Sequence, residues 1–219
     1  MPSSKDAVIA SLIKSFEAAP RREQPYPHWY LENCLPAADV AELTALPFPA
    51  PALGGISGKR EIHNATRQYF DAANMEKYPA CKTLNESLQD RRLTSTVERV
   101  FGTNVAGNYL RVEFAQDTDG FWLEPHTDLG VKTFTFLLYL SAGAGHEKLG
   151  TDIYDANKVH LGSSPFQPNG ALVFVPSTNT YHGFEPKTIE GVRKSIIINY
   201  VTNDWRAREQ LAYPNTPVA

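Results

Sequence analysis

The segment Glu124-Pro125-His126-Thr127-Asp128 holds an imidazole and a carboxylate two residues apart. In an extended strand that spacing sends both side chains to one side, where they can offer a nitrogen and an oxygen to a single cation. The pair alone is weak evidence. With six histidines in 219 residues, a His-x-Asp arises by chance in roughly one such sequence in four. Its weight comes from residues further along the chain: Pro168-Asn169-Gly170 is a tight turn feeding the apolar run ALVFV at 171–175, and His182 stands beyond it in Thr180-Tyr181-His182-Gly183. A β-barrel that returned His182 beside the first pair would set two imidazoles and a carboxylate on one face of a metal. That donor set suits Fe(II) and leaves three coordination positions open for substrate and O2. A carboxylate at Asp128 favours hydroxylation or desaturation over halogenation, which needs that position vacated for a halide.

Past His182, Arg193 and Ser195 stand two apart in RKSIIINYV (193–201), so strand alternation puts them on one face and Lys194 and Ile196 on the other. A guanidinium beside a hydroxyl can grip a carboxylate through parallel charge-assisted hydrogen bonds. An arginine in so apolar a strand is costly to bury without a partner. Arg111 and Glu113 have the same spacing before the His-x-Asp, which allows either the barrel interior or a salt-bridged outer face. His63 and Arg67 are candidates for the mouth of a site, with a solvated loop or helix face the plainer explanation. Phe121 and Trp122 read as core or rim packing, and His28, His146 and His160 lack partners at ligand spacing.

The elements that would position these residues change character along the chain. Residues 6–19 form an amphipathic helix stopped by Pro20, with Val8, Ile9, Leu12, Ile13 and Phe16 on one face, and 37–46 form a second. The segment 47–59, rich in proline and glycine, reads as a surface loop or flap. Residues 84–101 allow one long helix or two short ones, ended by Gly102. After Gly107 come short β-branched and aromatic runs, at 108–114, 131–140, 151–155, 171–175 and 193–201, separated by turn-forming clusters. The fold expected is mainly β with flanking α-helices, a double-stranded β-helix (jelly-roll, cupin-like) core. We expect a single domain over 1–219: a mostly helical buttress with loops at 1–106, the catalytic core at 107–203 and a C-terminal tail at 204–219.

Composition narrows the function classes. A net charge of −3 gives no broad positive field to attract phosphate backbones. No apolar run reaches a membrane span, the N-terminus does not read as a signal peptide, and Cys34 and Cys81 show no disulfide framework. The expectation is a cytoplasmic protein without membrane association, for which nucleic acid is a disfavoured partner.

The order PHTD, TFTFLLYLS, PNGALVFVP, YHGFEP, RKSIIINYV resembles the 2-oxoglutarate- and Fe(II)-dependent oxygenases, above all their prolyl-hydroxylase-like branch, over about residues 107–203. The resemblance implies that His126, Asp128 and His182 bind Fe(II). It also implies that Arg193, with Ser195 and with Tyr139 in the strand after the His-x-Asp, binds the distal carboxylate of 2-oxoglutarate. The implied reaction consumes 2-oxoglutarate and O2, hydroxylates a small molecule or an amino-acid or peptide side chain, and releases succinate and CO2. One departure is Leu149-Gly150-Thr151-Asp152, where the family often carries a Gly-Gly-acidic signature. Two alternatives stand beside this reading: a cupin-like metalloenzyme that does not use 2-oxoglutarate, which would have no need of Arg193, and a non-catalytic jelly-roll sensor or binding protein.

Overall fold

The computed structural model describes residues 2–51, 67–128 and 130–219. Two antiparallel sheets face one another, and helices cover the outer side of the larger. Its seven strands run in the order β1-β2-β9-β6-β11-β4-β3: β1 (Arg21–Arg22), β2 (His28–Leu31), β3 (Gln68–Tyr69), β4 (Tyr109–Asp117), β6 (Lys132–Tyr139), β9 (Ala171–Phe174) and β11 (Arg193–Val201). The smaller sheet runs β5-β10-β7-β8, from β5 (Leu123–His126), β7 (Asp152–Tyr154), β8 (His160–Ser163) and β10 (His182–Phe184).

Strand alternation divides the residues of the large sheet between two cores. Leu110, Val112 and Phe114 of β4, Phe134, Phe136 and Leu138 of β6, and Ile196, Ile198 and Tyr200 of β11 pack outward against the helices. These helices are α1 (Lys5–Ala18), α2 (Ala37–Thr44), α3 (Ala72–Lys77), α4 (Pro79–Gln89) and α5 (Arg91–Phe101), which contribute Leu12, Phe16, Leu84, Leu88, Val97 and Phe101. The residues between, such as Leu137 and Tyr139, point inward and meet Ile153, Phe174 and Phe184 in a second core between the sheets. A one-residue slip would exchange the two sets, so the register is strongly specified.

The expected helices and strands form with shifted ends. The stretch 84–101 is divided at Asp90, whose extended backbone ends α4 and whose side chain accepts from the Arg92 amide to start α5. Gly102 closes α5 in the left-handed region at φ 69°. Residues 72–83, where the sequence pattern suggests no element, are largely helical: Asp71 caps α3 and Pro79 occupies the first turn of α4. The 108–114 strand extends to Asp117 because β11 pairs with it along its whole length, from Arg193 opposite Asp117 to Val201 opposite Tyr109. Of the loop expected at 47–59, residues 47–51 lack regular structure, and the rest falls outside the described residues. The C-terminal segment 204–219 packs back on the core: Ala212 donates its amide to the Leu110 carbonyl, and Val218 to that of Asn108. Among the described residues no helix is long and apolar enough to cross a membrane.

Candidate metal centre and its pocket

β10 pairs antiparallel with β5 in a register that sets His182 directly opposite His126. Gly183 permits the close approach, since a Cβ there would lie 2.7 Å from the Leu123 carbonyl oxygen. The two imidazole rings sit with centroids 4.3 Å apart. Asp128 stands two residues after His126, and donor atoms of all three side chains lie within 4.8 Å of one another.

Backbone hydrogen bonds fix which ring atoms face the carboxylate. His126 Nδ1 lies 2.9 Å from the Glu124 carbonyl oxygen, and His182 Nδ1 lies 3.0 Å from that of Thr180. A carbonyl only accepts, so each Nδ1 carries a proton, and in the neutral ring each Nε2 then presents its lone pair. Those Nε2 atoms stand 3.9 Å and 3.7 Å from the Asp128 carboxylate. Two imidazole nitrogens and one carboxylate make a donor set of the kind that suits Fe(II), and the residues present fit that ion.

Further side chains orient the carboxylate. Lys132 Nζ lies 2.9 Å from Asp128 Oδ2, and Thr135 donates to the same oxygen at 3.2 Å. Asn199 donates to Thr135 at 3.0 Å and accepts from Arg111 at 3.2 Å. Sequence reasoning misses these contacts. Lys132 is four residues past Asp128, and Thr135 is the polar residue between Phe134 and Phe136, so each leaves a trace in the sequence that only strand pairing interprets.

The pocket that holds these three side chains is also lined by Arg193, Ser195 and Tyr139. Arg193 is buried: its Nε donates to the Leu149 carbonyl at 2.8 Å and its Nη1 meets Asp117 Oδ2 at 2.5 Å. Its guanidinium carbon lies 4.8 Å from the centre of the Phe184 ring. Nη2 has no hydrogen-bond partner among the described residues. The Tyr139 hydroxyl lies 2.6 Å from Ser164 Oγ and 3.0 Å from Thr151 Oγ1. Gly150 brings these segments together, because a Cβ there would collide with the Ser164 carbonyl oxygen at 1.7 Å. At the departure from the Gly-Gly-acidic signature, buried Asp152 is tied to Lys187 at 2.8 Å and to His160 at 2.9 Å.

Arg111 and Glu113 face this pocket and not the outer surface, and Arg67 joins them. Arg67 reaches Asp117 Oδ1 at 2.8 Å and Glu113 Oε1 at 3.4 Å, while Arg111 meets Glu113 Oε2 at 2.5 Å. Burial by itself would raise the Glu113 carboxyl, but Arg111 and Arg67, with Lys132 behind them, hold it below the usual carboxylate range. Phe121 is buried on the pocket wall under Arg67, and Trp122 is partly exposed. His63 lies outside the described residues.

No family model matches the chain, and no curated protein matches it in sequence. Solved structures do. A prolyl-4-hydroxylase from Pseudomonas putida is 16% identical, with a TM-score of 0.55 over 93% of this chain and 95% of that one. A prolyl hydroxylase from Trichoplax adhaerens, in complex with a hypoxia inducible factor oxygen degradation domain peptide fragment, is 14% identical, with a TM-score of 0.57 over 93% of each chain. HygX from Streptomyces hygroscopicus, with nickel and 2-oxoglutarate bound, is 14% identical, with a TM-score of 0.50 over 81% of this chain and 82% of that one. At these identities the likeness is one of fold: the double-stranded β-helix of the prolyl hydroxylases.

Proposed function

We propose that this protein is an Fe(II)- and 2-oxoglutarate-dependent oxygenase that hydroxylates a small molecule or an amino-acid or peptide side chain. One observation carries the reading: two imidazoles and a carboxylate converge in a pocket that also holds a buried guanidinium with an open nitrogen. When bound, iron with 2-oxoglutarate and O2 supplies C–H oxidation coupled to release of succinate and CO2. His126, Asp128 and His182 would hold the iron, and Lys132 and Thr135 keep the outer oxygen of Asp128 from turning. Arg193 Nη2 and the hydroxyl of Ser195 would receive the distal carboxylate of 2-oxoglutarate. Tyr139 would act beside them by fixing Thr151, which lines the same pocket.

Charge supports an anionic co-substrate. Arg67, Arg111 and Arg193 face Glu113 and Asp117 along one wall, which leaves one positive charge in excess among the described residues. A buried charge without a counterion is costly, and a carboxylate from the ligand removes that cost. The cupin-like alternative leaves this excess and the buried Arg193 without a purpose. A peptide side chain stands beside small molecules as substrate because the Trichoplax prolyl hydroxylase, of the same fold, was solved with a peptide. The acidic net charge of −3 disfavours nucleic acid. Cys34 and Cys81, both buried and unpaired, suit a reducing compartment such as the cytoplasm.

Anaerobic titration of the protein with Fe(II) and 2-oxoglutarate tests the reading. The expected result is a visible metal-to-ligand charge-transfer band that requires both additions and is lost in Arg193→Ala, which still takes up iron. Full iron loading without a band would favour the cupin-like alternative.

A further inference from the structure

The inward face of β4 carries Arg111, Glu113, Ala115 and Asp117 in alternation, and β11 sets Arg193 directly opposite Asp117. Arg67, just before β3, lies beside them because Gln68 and Tyr69 pair with Phe114 and Glu113. The result is a buried chain of alternating charge: Arg193, Asp117, Arg67, Glu113, Arg111. Its ends differ. Arg111 uses all three of its nitrogens, donating to Gln210, Asn199, Tyr69 and Glu113, and lies against the Tyr69 and Trp205 rings at 4.9 Å. Arg193 lines the pocket, and its Nη2 has no hydrogen-bond partner among the described residues. Among the described residues, the excess positive charge of this series is therefore offered at the Arg193 end.

We propose that Asp117 is a specificity-determining residue that fits the Arg193 anchor to a monoanion and against a dianion. The inference rests on the reading of this pocket as a 2-oxoglutarate site. Asp117 is 1% exposed and shares its two oxygens between Arg193 and Arg67. Without its charge, both guanidinium groups would lack that counterion, and the anchor would balance two negative charges. With it, a second negative charge on the ligand meets a carboxylate one guanidinium away, and both Asp117 and Arg193 are buried, where Coulomb repulsion is less screened than in water. Asp117 also takes up Nη1, so the ligand's carboxylate is received at the Nη2 side of the fork. The distal group selected is one carboxylate, and a phosphonate dianion of equal reach is rejected on charge.

The test compares two 2-oxoglutarate analogues in which the distal carboxylate is replaced by a sulfonate, a tetrahedral monoanion, or by a phosphonate, a tetrahedral group that is largely dianionic at pH 8. The two share a shape and differ in charge. Their binding to zinc-loaded protein is measured by calorimetry alongside 2-oxoglutarate. The wild type should bind 2-oxoglutarate and prefer the sulfonate to the phosphonate. Asp117→Asn should shift the ratio of the two affinities toward the phosphonate by about tenfold or more, a change of at least about 1.4 kcal/mol. Asp117→Glu should keep the wild-type preference, and Arg67→Gln combined with Asp117→Asn should restore it, since one charge of each sign is then removed. Should Asp117→Asn fail to fold, Arg67→Gln alone carries the test: with Asp117 serving Arg193 only, 2-oxoglutarate should bind about tenfold more weakly and the ratio should move further toward the sulfonate. An unchanged ratio in Asp117→Asn, or in Arg67→Gln if that variant alone folds, overturns the proposal while 2-oxoglutarate binding by the wild type upholds the parent reading. A wild type that binds none of the three overturns both.

Discussion

The two faces of the large sheet come from the same strands and serve opposite ends. On β4, β6 and β11 the outward residues are apolar and bury against α1, α4 and α5, whereas inward residues of the same strands include Arg111, Glu113, Asp117, Thr135 and Arg193. The outer face is held by area removed from water, which tolerates exchange among residues of similar volume. The inner face shares the second apolar core around Leu137 and Phe174, but along its pocket it is held by paired charges and directed hydrogen bonds, where one missing partner leaves another group buried and unsatisfied. The larger apolar core therefore lies on one side of the sheet and the polar pocket on the other, with the alternating strand pattern as the boundary.

Substitutions on either face can break that comparison. The largest effect is expected at the proposed metal ligands: His182→Ala or Asp128→Ala should abolish stoichiometric Fe(II) uptake and turnover, read by metal analysis of the anaerobically loaded protein, while the chain keeps its fold. Next comes the outer face. Phe136→Ala removes a fully buried ring that meets Phe16 at 5.6 Å and should lower stability by about 3–5 kcal/mol in urea denaturation. Its neighbour Thr135 points inward, so Thr135→Val should cost less stability, about 1–3 kcal/mol, as Asn199 Nδ2 loses one of its two acceptors and keeps the Phe134 carbonyl. The same variant should weaken metal affinity about tenfold or more, because Asp128 loses a bond that orients it. If Phe136→Ala weakened metal binding more than Thr135→Val does, the division between the faces would fail.

The smallest effect concerns acid. Glu113 has its carboxyl held below the usual range by Arg111 and Arg67, against the opposing push of burial. Its contribution is therefore complete above the unfolded carboxylate pKa of about 4.3 and is lost as pH falls through the lower folded value. Glu113→Gln should be less stable than the wild type at pH 6 and should lose less of its remaining stability on going to pH 3, as measured by denaturation at each pH. Equal losses in the two proteins would mean that the pair adds nothing linked to this proton.

Much of this division is legible in the sequence. The run RKSIIINYV marks β11 from Arg193 to Val201, and His126, Asp128 and His182 stand out by type and spacing. Pairing across strands is what a linear pattern does not supply. Whether Arg111 and Glu113 turn inward or outward depends on which face of β4 the helices cover, and Asp117 becomes a partner of Arg193 only through the register of β11 against β4. Short elements are also hidden: β2 and α3 are held in place by tertiary contacts and capping, and leave little periodicity to read. Tyr139 shows the same limit from the other side, since its position fits a direct contact with the co-substrate while its hydroxyl lies against Thr151 and Ser164.

The account depends on His126, Asp128 and His182 holding one cation beside the open nitrogen of Arg193. Anaerobic titration with Co(II), monitored by visible absorption, tests this most directly. We expect saturation at one Co(II) per chain, a d–d spectrum that changes when 2-oxoglutarate is added, and neither response in His182→Ala. Saturable binding of the same strength and spectrum in His182→Ala, or a wild-type spectrum indifferent to 2-oxoglutarate, would contradict it.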